Sequence, residues 1–193
     1  ILIRTSDEDT KKIFYTALYH TMIAPSTFCD ADGSISYTTF SLWDTYRAAM
    51  PLYSIFQTER YSDMIQTMLA ICDEQGKLPV WHLHGCETNC MVGNPGIIPV
   101  ADALVKEIGG FDKDKAFEAM KASAMRPDRG QDLRMEYGYI PCDLFKESVA
   151  YDLEYAIADG ALALAAEKLA DESGIVKYRE AAEFFSSRSL SYR

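Results

Sequence analysis

No stretch of this sequence stays apolar for the roughly 20 residues a membrane-crossing helix requires. No spanning segment and no membrane partner are therefore expected. The first dozen residues, ILIRTSDEDTKK, lack a basic start, a long apolar run and a small-residue cleavage site, so no signal peptide is expected within the chain. Basic residues are in the minority: 19 Lys and Arg face 29 Asp and Glu, for a formal charge of -10. They are scattered rather than clustered, which argues against a nucleic-acid partner, because phosphate contacts need grouped cations. Only five cysteines occur, at 29, 72, 86, 90 and 142. An odd count at wide spacings is no disulfide framework, and buried free thiols are the expectation. The sequence also has no CxxC, no HExxH and no 34-residue self-similarity.

What is present is a chain of 193 residues, 48% of them hydrophobic, which suits one domain with a substantial core. Helical periodicity dominates. A first helix opens on a capping-box-like Ser6 and Asp9, carries Ile13, Ala17, Leu18 and Met22, and ends at Pro25. A second covers FSLWDTYRAAM and runs into Pro51. A third follows Thr58 and stops at Gly76, a fourth spans about 98–108, and a fifth is capped by Asp112 and stops before Pro127. Ser148 is the expected cap of the longest helix, and the last runs over about 175–187. Residues 26–39, 77–96 and 128–147 read as long irregular connections, which are commonly functional. Paired helices with such loops gathered at one end predict an all-α fold of the α/α toroid kind, with the loops around a central pocket.

Chemistry concentrates in KLPVWHLHGCETNCMVGNPG, residues 77–96. His82, His84, Cys86, Glu87 and Cys90 are all competent metal ligands, yet their spacing fits no known zinc frame. A nucleophile reading needs Cys86 or Cys90 activated by a histidine such as His84. A pocket reading takes Trp81, His82, His84 and Glu87 as groups offered to a polyhydroxylated ligand: a carboxylate accepts from hydroxyls, and an aromatic face covers the apolar side of a sugar ring. The plain alternative makes Trp81 core and Glu87 a local cap. A second candidate is SLWDTYR, where Trp43 and Arg47 share a helical face and Asp44 points some 100° away. It suits a sugar, or else a buried tryptophan beside a local Asp44–Arg47 pair. The DADG at 30–33 begins like a calcium loop, but the twelfth position is Ser41, so a turn is expected.

Long blocks of the chain, KIFYTALYHTMIAPSTFCDADG, YTTFSLWDTYRAAMPLY, DEQGKLPVWHLHGCETNCMVG, GFDKDKAFEAMKASAM, EYGYIPCD and ESVAYDLEYA, closely resemble glycoside hydrolase family 92 and keep that family's order. The resemblance implies an exo-acting, inverting α-mannosidase of α-1,2-mannosidase type. It would be secreted or periplasmic and act on mannose-terminated N-glycans or mannans. Family members join an N-terminal β-sandwich to an (α/α)6 barrel and use calcium. Residues 1–193 look like a single partial domain, the first half of that barrel. The family's acid glutamate block (Glu-Gly-Asn-Ala-Trp) and base aspartate block (Asn-Asp-Asp-x-Gly) have no counterpart here, so the catalytic pair is expected outside this chain, and no complete calcium site within it. Trp43 and Asp44 match the family's Trp-Asp pair, and Glu87 its Gly-x-Glu-Thr block. With His82 and His84 they are the expected substrate-binding residues. Cys86 stands where many members carry Asn, and GNPG at 93–96 replaces a common Gly-Tyr-His, both affecting linkage preference. The competing expectation is a non-catalytic helical carbohydrate-binding or scaffold module.

Overall fold

Nine helices and five short strands follow one another in a computed structural model that describes residues 1–33 and 35–192. Helix α1, Glu8–His20, starts one residue later than Ser6 would place it: Asp7 is the cap, its carboxylate accepting from the Asp9 amide at 3.0 Å and the Thr10 hydroxyl at 2.6 Å. No residue of α1 is buried. Strands β1 (Ser26–Thr27) and β2 (Tyr37–Thr38) pair antiparallel around the DADG segment, where the Gly33 N–H donates to the Asp30 carbonyl and closes the expected turn.

Strand β3 (Phe40–Ser41) leads into a short helix α2, Leu42–Thr45, and a break precedes α3, Ala49–Phe56. The single helix expected over 40–50 is thus divided. Pro51 does not end a helix but sits in the first turn of α3, where an absent N–H costs nothing because first-turn amides have no intrahelical partner. Helix α4, Thr58–Gln75, ends as expected on Gly76 in the left-handed region, with its N–H donating to the Cys72 carbonyl at 2.8 Å.

The stretch expected to be irregular over 77–96 contains strands β4 (Trp81–Leu83) and β5 (Cys86–Glu87). Helix α5, Ile97–Val105, is apolar almost all round and sits in the middle of the core. Helix α6, Lys113–Met125, is capped by Asp112, which accepts from the Lys115 amide at 2.9 Å. Helix α7, Gln131–Tyr137, occupies part of the expected 128–147 loop and is bracketed by left-handed Gly130 and Gly138. Helix α8, Ser148–Ser173, begins after Glu147, which adopts a left-handed conformation at the cap position. Ser148 is therefore the first helical residue, and buried, rather than the cap. Helix α9, Val176–Arg188, closes the series.

The fold is mostly helical, as expected, and the described residues form an open arc with no closed barrel. Helices α3 and α4, α5 and α6, and α8 and α9 pack as successive pairs. Helix α8 also lies against α5 and α6. One side of α8 (Tyr155, Ala158, Leu162, Ala165, Ala166, Leu169) is core, while Val149, Leu153, Ile157 and Leu164 on the opposite side are exposed. Between the middle of α7, the middle of α8 and the last residue of α9, the Arg134 and Asp159 side chains, each 1% exposed, form a 2.7 Å ion pair, and Arg188 adds a second cation to the same carboxylate. Cysteine burial differs from the expectation. Cys72 alone is buried, its thiol pushed up by desolvation, and Cys29, Cys86, Cys90 and Cys142 are exposed free thiols.

Candidate functional site

The two candidate stretches, 40 residues apart in sequence, meet in one three-stranded sheet of order β3-β4-β5. Ser41 lies opposite Trp81, Phe40 opposite His82, His82 opposite Glu87, and Leu83 opposite Cys86. Side chains alternate across a strand, so Phe40 and His82 share the inner face and Ser41 and Trp81 the other. The β4–β5 connection is a two-residue turn, His84–Gly85, with both φ angles positive (48° and 82°). This is the hairpin geometry that matches strand twist, and it requires a residue like Gly85 that is free to adopt left-handed φ. The signal was a glycine between two short apolar-bearing runs, easily missed among so many potential ligands.

On the Ser41–Trp81 face the Trp81 indole N–H donates to the Ser41 hydroxyl, which donates on to Asp44 Oδ2. Asp44 is exposed and Trp43 half-buried. Arg47 does not pair with Asp44, the local pairing weighed from sequence. Its guanidinium lies 4.6 Å from the Trp43 ring centroid and its Nη2 donates to Glu154 on α8 at 2.6 Å. The distance in sequence hid that partner: 107 residues separate the two.

Glu87 braces backbone. Its Oε2 accepts from the Val80 amide at 2.7 Å, and its Oε1 from Trp81 at 3.0 Å and Asn89 at 2.7 Å. A carboxylate offers about four lone-pair directions, and three of them are taken by these amides. His82 is buried with Nδ1 unpartnered. Burial lowers its pKa below the usual 6.5, against an opposing pull from Glu87 and Glu74, so the imidazole is neutral at physiological pH. His84 is exposed at the turn, and its amide donates to Thr38 Oγ1 at 2.7 Å. Asp44 and Trp81 are thus joined on one side of the sheet through Ser41, and Trp43 precedes Asp44 on α2 with its ring against Arg47. His82 faces inward beneath them and His84 projects at the rim.

The three long connections touch. Thr38 of the first holds His84 of the second. Arg129 of the third donates to Asn89 Oδ1 at 2.9 Å and to the Met91 carbonyl, with its Cζ 5.3 Å from the Tyr151 ring. Lys77 also donates to Asn89 Oδ1 and sits 3.8 Å from Asp128. It is buried, which lowers its pKa. Sequence reasoning assigned no role to Ser41, Lys77 and Glu154, although they lie within the quoted stretches, nor to Arg129, which lies outside them. Among the described residues, the buried polar side-chain atoms without a partner fall on Trp43, His82, Arg129 and Gln131, and three of those four residues belong to this cluster. Unsatisfied buried polar groups are rare in folded proteins and gather where binding chemistry does. A groove of about 890 Å³ lies elsewhere, between the end of α1, β1 and the α3–α4 junction, and includes none of the expected site residues. Among the described residues no three His, Cys, Asp or Glu side chains come together as a metal-ligand set. These side chains therefore do not fit a calcium ion by themselves, and no step through one is assigned to them.

The whole chain, residues 1–193, matches the glycosyl hydrolase family 92 catalytic domain. The chain belongs to glycosyl hydrolase family 92. No match is found among curated proteins. Solved family 92 structures are similar over nearly the full chain. The family GH92 α-mannosidase BT3965 from Bacteroides thetaiotaomicron is 39% identical with a TM-score of 0.91, covering 98% of this chain and 27% of its own. The same enzyme in complex with mannoimidazole gives the same identity and TM-score. The family GH92 inverting mannosidase BT2199 from the same organism is 28% identical with a TM-score of 0.83, covering 93% of this chain and 27% of its own. The chain thus spans about a quarter of the length of these family 92 structures, and its arc of helix pairs is part of their helical toroid.

Proposed function

We propose that this chain is part of an inverting exo-α-mannosidase and supplies one wall of the subsite for a terminal mannose unit. The observation that carries the reading is the Trp81–Ser41–Asp44 relay on the open face of the β3-β4-β5 sheet. It holds an exposed carboxylate at a fixed angle in line with the Trp81 indole, an arrangement suited to sugar hydroxyls and an apolar ring face. The exposed His84 suits a further hydroxyl, while Glu87, on the His82 side of the sheet, braces the strands through the Val80 and Trp81 amides. Buried, neutral His82 supports the strand beneath. Mannose-terminated N-glycans or mannans, α-1,2-linked ends among them, are the substrates the family resemblance favours, as it favours a secreted or periplasmic location.

Inversion needs an acid and a base about 6.5–9.5 Å apart, with room for water between them. Here Glu154 is bound to Arg47 and Tyr46, Glu87 to three amides, and Asp44 to Ser41. Carboxylates so engaged hold and orient. The catalytic pair is then contributed by parts of the enzyme outside these 193 residues, which also complete any calcium site.

Titration of the chain with mannose and with galactose, followed by tryptophan fluorescence and calorimetry, tests this. The expected result is mannose binding in the millimolar range, about -4 kcal/mol, with weaker galactose binding and negligible turnover of an aryl α-mannoside in calcium. No response to either sugar would favour the helical scaffold reading, and turnover at the level of a complete enzyme would place the acid and base inside the chain.

A further inference from the structure

Glu154 lies at the junction of three segments that sequence keeps far apart. From α8 it accepts the Tyr46 hydroxyl on Oε2 at 2.9 Å and Arg47 Nη2 on Oε1 at 2.6 Å. From the third side the 91–96 segment presses on its stem. Gly93 has φ of 78°, and a Cβ added there would stand 2.5 Å from Glu154 Cβ. The next residue along α8 is anchored too, with the Tyr155 hydroxyl donating to the Arg129 carbonyl at 2.9 Å. Glu154 therefore has little freedom, and it passes that order on. Its carboxylate fixes the Arg47 guanidinium with Cζ 4.6 Å from the Trp43 ring centroid and 4.5 Å from that of Tyr46. A planar guanidinium over an indole gains both cation–π and stacking energy and occupies that face of the ring. That face of the Trp43 ring is therefore closed to a ligand.

We propose that Glu154 is a positioning residue that, through Arg47, orients Trp43 and reserves one indole face for the sugar. The inference rests on the mannose-subsite reading above. It extends that reading by linking α8 and the glycine-bearing 91–96 segment to the aromatic that meets the ligand. A merely structural ion pair would behave differently. The Arg47 side chain is 42% exposed, so its pair with Glu154 contributes little to stability, and the effect of breaking it should appear in the indole rather than in unfolding.

The chain has two tryptophans, hence two indole N–H resonances, assigned with Trp43→Phe. Glu154→Gln is expected to move the Trp43 resonance and leave Trp81 in place. The Tm should shift by less than about 3 °C, and mannose affinity should fall about tenfold. Arg47→Lys, which keeps the charge but not the plane, should reproduce both effects. If both indole resonances stay unmoved in Glu154→Gln and Arg47→Lys, the proposal is overturned, whatever the sugar does. If Trp43 moves but the unsubstituted chain ignores mannose, the subsite reading fails and the sugar role of Glu154 fails with it. If Trp43 moves and mannose affinity holds, the positioning claim is overturned while the subsite reading stands.

Discussion

The Ser41 hydroxyl donates to Asp44 while accepting the indole N–H of Trp81, so one side chain couples an aspartate on α2 to a tryptophan on β4. Neither partner sits near the other in sequence, and the coupling exists because β3 and β4 bring Ser41 and Trp81 into direct opposition.

Ser41→Ala removes that coupling and leaves the fold almost untouched. Ser41 is only partly buried, so the stability loss should be about 1 kcal/mol. Mannose affinity should drop several-fold more than that loss alone explains, and Asp44→Asn should drop it further. Calorimetric titration beside urea unfolding separates the two quantities.

His82 predicts a pH dependence of known sign. In the unfolded chain its pKa is the ordinary 6.5, and in the folded chain burial depresses it. Between those values the unfolded state binds more protons, so stability is complete above 6.5 and declines as pH falls through the folded value. Thermal unfolding from about pH 7.5 down to about pH 5 should therefore show a steeper loss for the native chain than for His82→Gln. Equal slopes would remove buried neutral His82 as the cause.

Asp159→Asn should be far more damaging than Glu154→Gln, although each removes one carboxylate charge. Asp159 lies between Arg134 and Arg188 and is nearly inaccessible to solvent. Without its charge Arg134 keeps Asp152 as its one anionic partner, beside the Arg188 carbonyl and the Ser191 hydroxyl, and Arg188 keeps only neutral acceptors. A loss of about 3 kcal/mol in denaturant unfolding is expected, because a buried cation stripped of its partner cannot be resolvated cheaply.

Helix α8 predicts how the 193-residue chain behaves on its own. Val149 and Leu164 are 69% and 60% exposed, on the side opposite its core residues. Apolar patches of that kind drive association. Sedimentation should show concentration-dependent self-association, reduced by Ile157→Lys and unaffected by substitution of the exposed, already polar Glu183.

Much of the helical frame was legible. Asp112 and Gly76 mark helix ends because a cap and a left-handed stop act through their own backbone neighbours. Asp7 displaced Ser6 because the choice between adjacent cap-competent residues depends on where the chain enters the helix. The split at Tyr46–Ala48 was invisible because periodicity continues through it, and Pro51 fits either reading. Trp43, Asp44 and Glu87 were singled out by residue chemistry, and the family resemblance then matched them to its Trp-Asp pair and Gly-x-Glu-Thr block. Glu154 and Arg129 could not be, since their roles arise from contacts across 107 and 40 residues, which no local pattern encodes. Glu87 illustrates the limit most plainly: its motif marks it as special, but only the geometry assigns three of its hydrogen bonds to amides.

The turn at His84–Gly85 sets the tolerance of this corner to change. Because strand side chains alternate, adding one residue there and letting β4 slip would rotate Trp81 into the interior and bring His82 outward, exchanging an aromatic wall for an imidazole one. Substitution at the exposed Cys86 leaves that alternation intact, whereas a change in the length of the hairpin does not.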